Sequence, residues 1–344
     1  MRRGGVTGKL FLFMFEEIIN MENLLVAWSE FIKEKRARPD VQIFNRRFMS
    51  NIFLLHRELL TDTYRHGSYQ SFKVNDSKPR DIHKASVRDR LLHHAVYRVL
   101  YPYYEKFFIA DSFSCRNNKG THAALNRFHR FFWKVSRNNT RQCWVLKCDV
   151  RKFFASINHT ALISILRKGI KDENLILLLT KIINSFNSGK QGVGLPLGNL
   201  TSQLFANVYM NELDQYIKQE LKIKYYIRYA DDFAIFSSHK AYLLDLVEPL
   251  KEFLGNELKL QLHEDKIAIE TVCSGVDFLG WVHFFDHRVL RGTTRRRMLN
   301  RIRNNPMPES LNSYLGLLKH GNTKKLENKL LTEYFLAKED IQQF

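Results

Sequence analysis

Apolar residues recur every three or four positions along the first part of the chain. Phe15, Ile18, Ile19, Leu24, Leu25, Trp28, Phe31 and Ile32 make one stripe, and a second runs from Ile43 to Leu60. This spacing predicts amphipathic helices over residues 15–65. They are separated by the basic stretch Lys33-Glu34-Lys35-Arg36-Ala37-Arg38, which is either a solvated face or a grip on a polyanion. The period then drops to two. Residues 67–83 alternate around turn formers and predict a β-hairpin with a basic tip. Helical spacing returns from Ser86 to Leu100 and, after an irregular loop over 111–120, from Thr121. The run 143–149 predicts a strand that ends on Asp149, and helices are predicted over 159–168 and 172–187. A Gly/Pro-punctuated loop, 192–200, leads into a helix from an N-cap at Thr201 to Leu221. A second hairpin follows over 225–236, then a helix over 240–256, strands over 259–263 and 276–284, and a helical tail from 288. The order predicts an α+β fold with antiparallel strands, and no internal repeat interrupts it.

The tip of the second hairpin carries the chemistry. Tyr229-Ala230-Asp231-Asp232 sets two carboxylates side by side, where they repel each other and lose hydration if the turn packs. A solvated turn is one reason to find Asp there. A magnesium ion is another, because hard cations take carboxylate oxygens. Asp149, at the end of an apolar strand, supplies a second candidate ligand. A strand-end Asp with a hairpin Asp-Asp is the arrangement a two-metal nucleotidyl transferase needs.

Composition bears on the substrate. The chain has 344 residues, 44% of them hydrophobic, enough for a large core divided into two or three subdomains. Lys and Arg number 54 against 35 Asp and Glu, for a formal charge of +19. Charge of that size attracts polyanions, nucleic acid first among them. The tail from 288 alone holds 12 Lys and Arg against 5 Asp and Glu. The 13% aromatic content suits base stacking or a large core. Cys143 and Cys148 sit in one strand-like run and read as buried thiols of a reducing compartment. The apolar run Leu10–Phe15 is too short for a secretory leader and meets Glu16-Glu17; Met14 and Met21 are alternative starts. No stretch approaches the roughly 20 apolar residues of a membrane span, so a cytoplasmic protein without a membrane partner is expected.

In order and spacing, the motifs over about residues 15–330 resemble a reverse transcriptase. Arg80 through Arg90 resembles the fingers motif that faces the incoming triphosphate, and Phe108 through Arg116 the next finger segment. Asp149 through Phe154 resembles the first palm motif, and Tyr229 through Asp232 the Tyr-X-Asp-Asp box. Leu262 through Lys266 and Val276 through Trp281 resemble the last palm and primer-grip motifs. The resemblance implies a right-hand polymerase: an N-terminal helical extension over 1–65, fingers over 66–142, a palm over 143–285 with a fingers-type helical insertion over about 159–195, and a thumb over 286–344.

It also implies roles. Asp149 and Asp231 would bind two Mg2+ ions, with Mn2+ an acceptable substitute, joined by the backbone carbonyl of Val150; Asp232 would be a third carboxylate of the cluster, in the second sphere. Phe154 would fill the space a ribose 2′-hydroxyl needs, or else be core, since one of Phe153 and Phe154 must point inward. Arg80, Lys84 and Arg90 are candidate triphosphate clamps, because the guanidinium fork donates in pairs to phosphate. Lys266 would approach nucleotide or primer phosphates, or sit solvated at a strand end. Gln203 and Tyr229 would lie near the primer terminus or template, or serve as internal amide and cross-strand partner. Phe278, Leu279 and Gly280 would form the primer grip, and Arg291, Arg295, Arg296 and Arg297 would hold the duplex backbone without reading sequence.

One motif narrows the family. Most reverse transcriptases carry Gln-Gly where this chain has Leu197-Gly198, followed by Asn199-Leu200-Thr201-Ser202-Gln203. An aliphatic residue before Gly with Ser-Gln beyond resembles the enzymes of diversity-generating retroelements. The resemblance implies a template-repeat RNA copied to cDNA from dNTPs with errors opposite adenines, and a small basic accessory variability protein oligomer as partner. A group II intron enzyme would carry further domains after the thumb, for which 344 residues leave no room. A retron enzyme would show Val-Thr-Gly late in the chain, whereas here it occurs at Val6-Thr7-Gly8. A phage-defence reverse transcriptase and a catalytically silent RNA-binding scaffold are the remaining alternatives.

Overall fold

The computed structural model describes residues 13–75 and 79–342. The leader-like segment through Leu12, Val6-Thr7-Gly8 and the tip of the first hairpin at 76–78 lie outside the described residues.

The first apolar stripes form four helices: α1 (Met14–Ile19), α2 (Met21–Phe31), α3 (Pro39–Arg46) and α4 (Phe48–Leu60). The second stripe breaks at Arg47, whose backbone leaves helical geometry and turns the chain between α3 and α4. Trp28 and Phe31 are buried against the rest of the molecule, while Ile43, Met49, Phe53 and Leu60 are exposed. The alternating segment forms β1 (Gln70–Asn75) and β2 (Pro79–Lys84), paired antiparallel from Gln70↔Lys84 to Asn75↔Pro79. Helix α5 (Val87–Glu105) follows, capped by the Ser86 hydroxyl accepting from the Asp89 amide, and then α6 (Thr121–Val135).

The strand at 143–149 appears as β3 (Trp144–Asp149). Helices α7 (Phe153–Ser156), α8 (His159–Gly169), α9 (Glu173–Asn184) and α10 (Leu200–Gln215) come next, and α10 runs on into a π-helical turn over Tyr216–Glu220. Thr201 is not the cap: it is buried in the first turn, and Asn199 stands at the N-cap position with its side chain engaged elsewhere. Strands β4 (Tyr226–Tyr229) and β5 (Asp232–Ser237) form the second hairpin. Helices α11 (Lys240–Asp245) and α12 (Val247–Asn256) replace the single helix expected there.

Strand β6 (Ala268–Thr271) completes a four-stranded antiparallel sheet of order β4-β5-β3-β6. The strand expected at 259–263 is reduced to a single bridge, Leu262 with Val150: Lys259 at its start holds φ +51, and a 3-10 turn over Glu264–Lys266 follows it. The strand expected over 276–284 is a hairpin instead, β7 (Val276–Phe278) and β8 (Trp281–His283), extended by β9 (Arg288–Leu290). Leu279 and Gly280 both have positive φ, so a two-residue turn reverses the chain where a continuous strand was expected. The three-stranded sheet therefore crosses residue 286. Helices α13 (Gly292–Asn304), α14 (Pro308–Leu318) and α15 (Lys324–Gln342) end the described chain.

Strand periodicity divides the interior in two. Leu146, Cys148, Tyr226, Phe233 and Ile235 face one hydrophobic cluster, shared with α5 and α8 to α10. Val145, Ile227, Ala234 and Phe236 face another, shared with α6, the β7–β9 sheet and the last helices. The central sheet is thus buried on both faces, and only its ends are free to do chemistry. Cys143 and Cys148 are buried, and all four cysteines are free thiols. Among the described residues no helix is long and apolar enough to cross a membrane.

Candidate active site

The three acidic residues meet at one end of the central sheet. Asp149 is the last residue of β3 and lies directly opposite Asp232, the first residue of β5. Cross-strand partners share a face, and that face also holds Lys147 two residues back. Asp231 sits in the turn, and its carbonyl accepts from the Val150 amide at 3.2 Å, tying the turn to the end of β3. Burial raises the Asp231 pKa and the Asp149 charge adds to it, while Lys266 and Arg80 oppose the rise. Burial pushes Asp232 up to about 7; Asp149, Asp231 and Asp277 reinforce that and Lys147 opposes it.

The turn is held by a residue that the sequence reading passed over. Arg228, next to Tyr229 in β4, is fully buried with Asp214 of α10. Its Nη2 and Nε donate to the two Asp214 carboxylate oxygens at 2.6 and 2.8 Å, and the Tyr226 hydroxyl donates to the same carboxylate. Its Nη1 donates to the carbonyl of Ala230 at 3.0 Å, and its Nη2 to the Ser112 hydroxyl at 3.1 Å. Ala230 has φ +56, a conformation costly for a residue with a Cβ, and this hydrogen bond helps hold it. Burial alone would lower the Arg228 pKa, but Asp214 holds it above its ordinary value. A lone cation inside the apolar run 225–236, matched by an acid, Asp214, in the largely apolar helix 200–215, was the available signal.

Lys266 donates to Asp149 Oδ1 at 2.5 Å, brought there by the 3-10 turn that ended the expected strand. Arg80 is exposed on β2 within electrostatic reach of Asp231. The other two candidate clamps are engaged elsewhere: Lys84 and Arg90 both pair with Asp40 of α3, at 2.6 and 2.5 Å, and Arg90 also lies over the Phe31 ring. Phe153 takes the core position and leaves Phe154 half-buried. The Tyr229 hydroxyl hydrogen-bonds with that of Thr121, at the start of α6. Gln203 is half-buried in the first turn of α10.

Residues 192–199 run between two other elements. The Leu195 amide donates to the carbonyl of Phe154 at 2.8 Å, and the His83 amide of β2 donates to the carbonyl of Leu197 at 2.9 Å. Asn199 Nδ2 donates to the His83 carbonyl at 2.8 Å, which is why it does not cap α10. A Cβ on Gly198, at φ +104, would fall 2.8 Å from Ile82.

In the expected primer grip, Phe278 is fully buried and stacked on Phe128 at 4.6 Å, so it cannot touch nucleic acid. Leu279 and Gly280 form the turn beside it, and Leu279 holds φ +50. Arg291 is engaged by Asp277 at 2.5 Å. Arg295, Arg296 and Arg297 are exposed on α13 without an ion-pair partner among the described residues.

Among the described residues no group of three acid, His or Cys side chains is gathered closely enough to hold a metal ion. The donors nevertheless suit a hard divalent cation. They are all oxygens, and burial together with mutual repulsion destabilises their charged forms, which a cation would reverse. Lys266 supplies part of that countercharge to Asp149.

Residues 72–283 match the family described as reverse transcriptase (RNA-dependent DNA polymerase). Protein YkfC of Escherichia coli K12 is 26% identical over 303 residues, covering 75% of this chain and 77% of that protein. The group II intron-encoded protein LtrA of Lactococcus lactis is 26% identical over 293 residues, covering 65% of this chain; the match spans 47% of LtrA, about half its length. Among solved structures, a telomerase from Candida albicans in complex with a fragment of telomeric RNA superposes with a TM-score of 0.52 at 11% identity, over 83% of this chain and 58% of that one. That likeness concerns the fold, which is the right-hand polymerase fold. The match runs from the first hairpin through the end of β8 and encloses the whole acidic end of the central sheet, so the chain belongs to the reverse transcriptase family, the RNA-directed DNA polymerases.

Proposed function

We propose that this RNA-directed DNA polymerase copies a template-repeat RNA into cDNA with errors concentrated opposite template adenines, for diversification of a target gene. Leu197 carries the reading. Its backbone is bonded to β2, which bears Arg80, and its neighbour Leu195 to Phe154, two of the residues proposed here to meet the nucleotide, and an aliphatic side chain at such a position would offer only packing. Discrimination built on apolar contact is weaker than discrimination built on placed hydrogen bonds.

In this reading the β1–β2 hairpin belongs to the fingers, the central sheet is the palm floor and α13 to α15 are the thumb. Asp149, Asp231 and the Val150 carbonyl would hold two Mg2+ ions, or Mn2+, with Asp232 behind them. Bound there, the ions activate the primer hydroxyl and offset charge on the leaving phosphate. Lys266 leaves Asp149 for a phosphate when the site fills. Arg80 donates to the triphosphate, Phe154 crowds a ribose 2′-hydroxyl, and Thr121 orients Tyr229 beside the primer end. Template RNA, cDNA, dNTPs and a small basic accessory protein oligomer are the partners, in the cytoplasm. The similarity to LtrA favours a second reading, an enzyme that works on an intron-like element.

The test is primer extension on an RNA template with Mg2+ and dNTPs, with the cDNA sequenced, beside Asp231→Asn/Asp232→Asn and Leu197→Gln variants. Synthesis lost in the first variant, and adenine errors that fall in the second, support the proposal. Faithful synthesis by the wild type selects the intron-like reading. Absence of synthesis with accessory protein and cognate RNA supplied selects a silent scaffold.

A further inference from the structure

A cavity of about 650 Å3 opens between α6, the β8–β9 turn and the α14–α15 turn. Its wall includes Asn126, His129 and Arg130 from α6, Asp286 and Arg288 from the β8–β9 turn and strand, and His320. Positive charge there lacks a counterion. Half-buried and buried arginines elsewhere have acidic partners, as in Arg90–Asp40, Arg116–Glu105 and Arg228–Asp214. Arg288 is half-buried as well, yet its Nε donates to the His320 carbonyl and its Nη2 to Asn126 Oδ1, both neutral. Among the described residues no carboxylate pairs with Arg288 or Arg130, and Asp286 is bound to His287 at 2.6 Å. A desolvated cation without an anion is costly.

The imidazoles report the same surplus. Burial and then Arg288 hold His129 below the ordinary imidazole value. Burial, His122 and Arg288 do the same to His320. The wall is also rigid, since a Cβ on Gly321 would overlap Trp281 and the Arg288 backbone. Its position is telling. Helix α6 starts at Thr121, bonded to Tyr229 beside the acidic turn, and His122 stacks on His320 at a ring separation of 3.5 Å. Arg130 lies nine residues further on, about 13 Å along the helix axis.

We propose that this cavity is a phosphodiester site: Arg288 and Arg130, assisted by His129 and His320, hold a backbone phosphate of the primer–template duplex a short way behind the reaction centre. It extends the reverse transcriptase reading and rests on it. The guanidinium fork suits a phosphate monoanion, and such a contact fixes register without reading bases. A nucleic-acid strand is favoured over a free polyphosphate because one helix links the acidic turn to the cavity.

The test uses the full chain and duplexes in which single neutral methylphosphonate linkages step back from the primer 3′ end and along the template. One or two adjacent positions should lower wild-type affinity about tenfold. In Arg288→Gln and in Arg130→Gln the same substitutions should cost clearly less, and the salt slope should fall by about one. Arg130 is exposed, so its variant keeps the question open if Arg288→Gln does not fold. A flat profile in the wild type, or an undiminished penalty in both variants, overturns the proposal. A flat profile with tripolyphosphate bound by wild type and not by Arg130→Gln assigns the cavity to a free polyanion and overturns the duplex site. Wild-type extension of the unmodified primer is scored in the same tubes, so failure of the polymerase reading is distinguishable.

Discussion

The β4–β5 and β1–β2 hairpins both bring charge to the acidic end of the central sheet, and they are built on opposite plans. In the first, Ile227, Arg228, Phe233, Ala234 and Ile235 are all fully buried, and the turn is fastened from below by the hydrogen bonds of the Arg228 guanidinium. In the second, Phe72 and Val74 are 46% and 41% exposed and Arg80 is bare. The carboxylate hairpin has given up freedom for position, as electrostatic preorganisation requires. The hairpin bearing Arg80 buries little, so bending it costs little, which suits the fingers role proposed for it.

Breaking Arg228 should separate the two hairpins most sharply. Arg228→Met leaves Asp214 buried and unpaired, and about 3–5 kcal/mol of stability should be lost in urea unfolding. Arg228→Met/Asp214→Leu should recover much of it while extension remains slow, because the Ala230 carbonyl has still lost its donor. Phe72→Ala on the exposed hairpin should shift stability by less than about 0.5 kcal/mol. Equal losses at the two sites would erase the distinction. Next in size is Phe154→Ala. Discrimination against ribonucleotides should fall by about 10–200-fold in competing kcat/KM, with little change for dNTPs. Arg80→Gln should raise the KM for dNTP about tenfold with kcat and melting unchanged. A fall in kcat alone would assign Arg80 to the chemical step. The smallest effect is expected at the β7–β8 turn: Leu279→Gly relieves the left-handed conformation and should add about 1 kcal/mol. Primer KM rising in that variant would show the leucine is kept for contact.

The elements were legible in the sequence wherever one face of a strand or helix was patterned, and so were the three acids and Phe153/Phe154. What escaped was set by contacts between distant segments. The segment before the 3-10 turn that carries Lys266 to Asp149 reads as a strand over 259–263 by its leucines, yet it pairs only at Leu262. Thr201 looks like a cap until Asn199 is seen to bind β2. Lys84 and Arg90 look free because Asp40, fifty residues before Arg90, is invisible to local pattern. Phe278 follows the same rule from the other side: it looks like a grip and is a core ring, because α6 supplies Phe128.

The segment 192–199 has an implication for anyone altering this enzyme. It is sewn to Phe154 through Leu195 and to His83 through Leu197 and Asn199. If Phe154 faces the sugar and Leu197 the base pair, as proposed, both share one piece of backbone with the strand bearing Arg80. Sugar choice, copying accuracy and fingers posture would then be not three dials but one lever, and a substitution tuned for any of them would be felt in the other two.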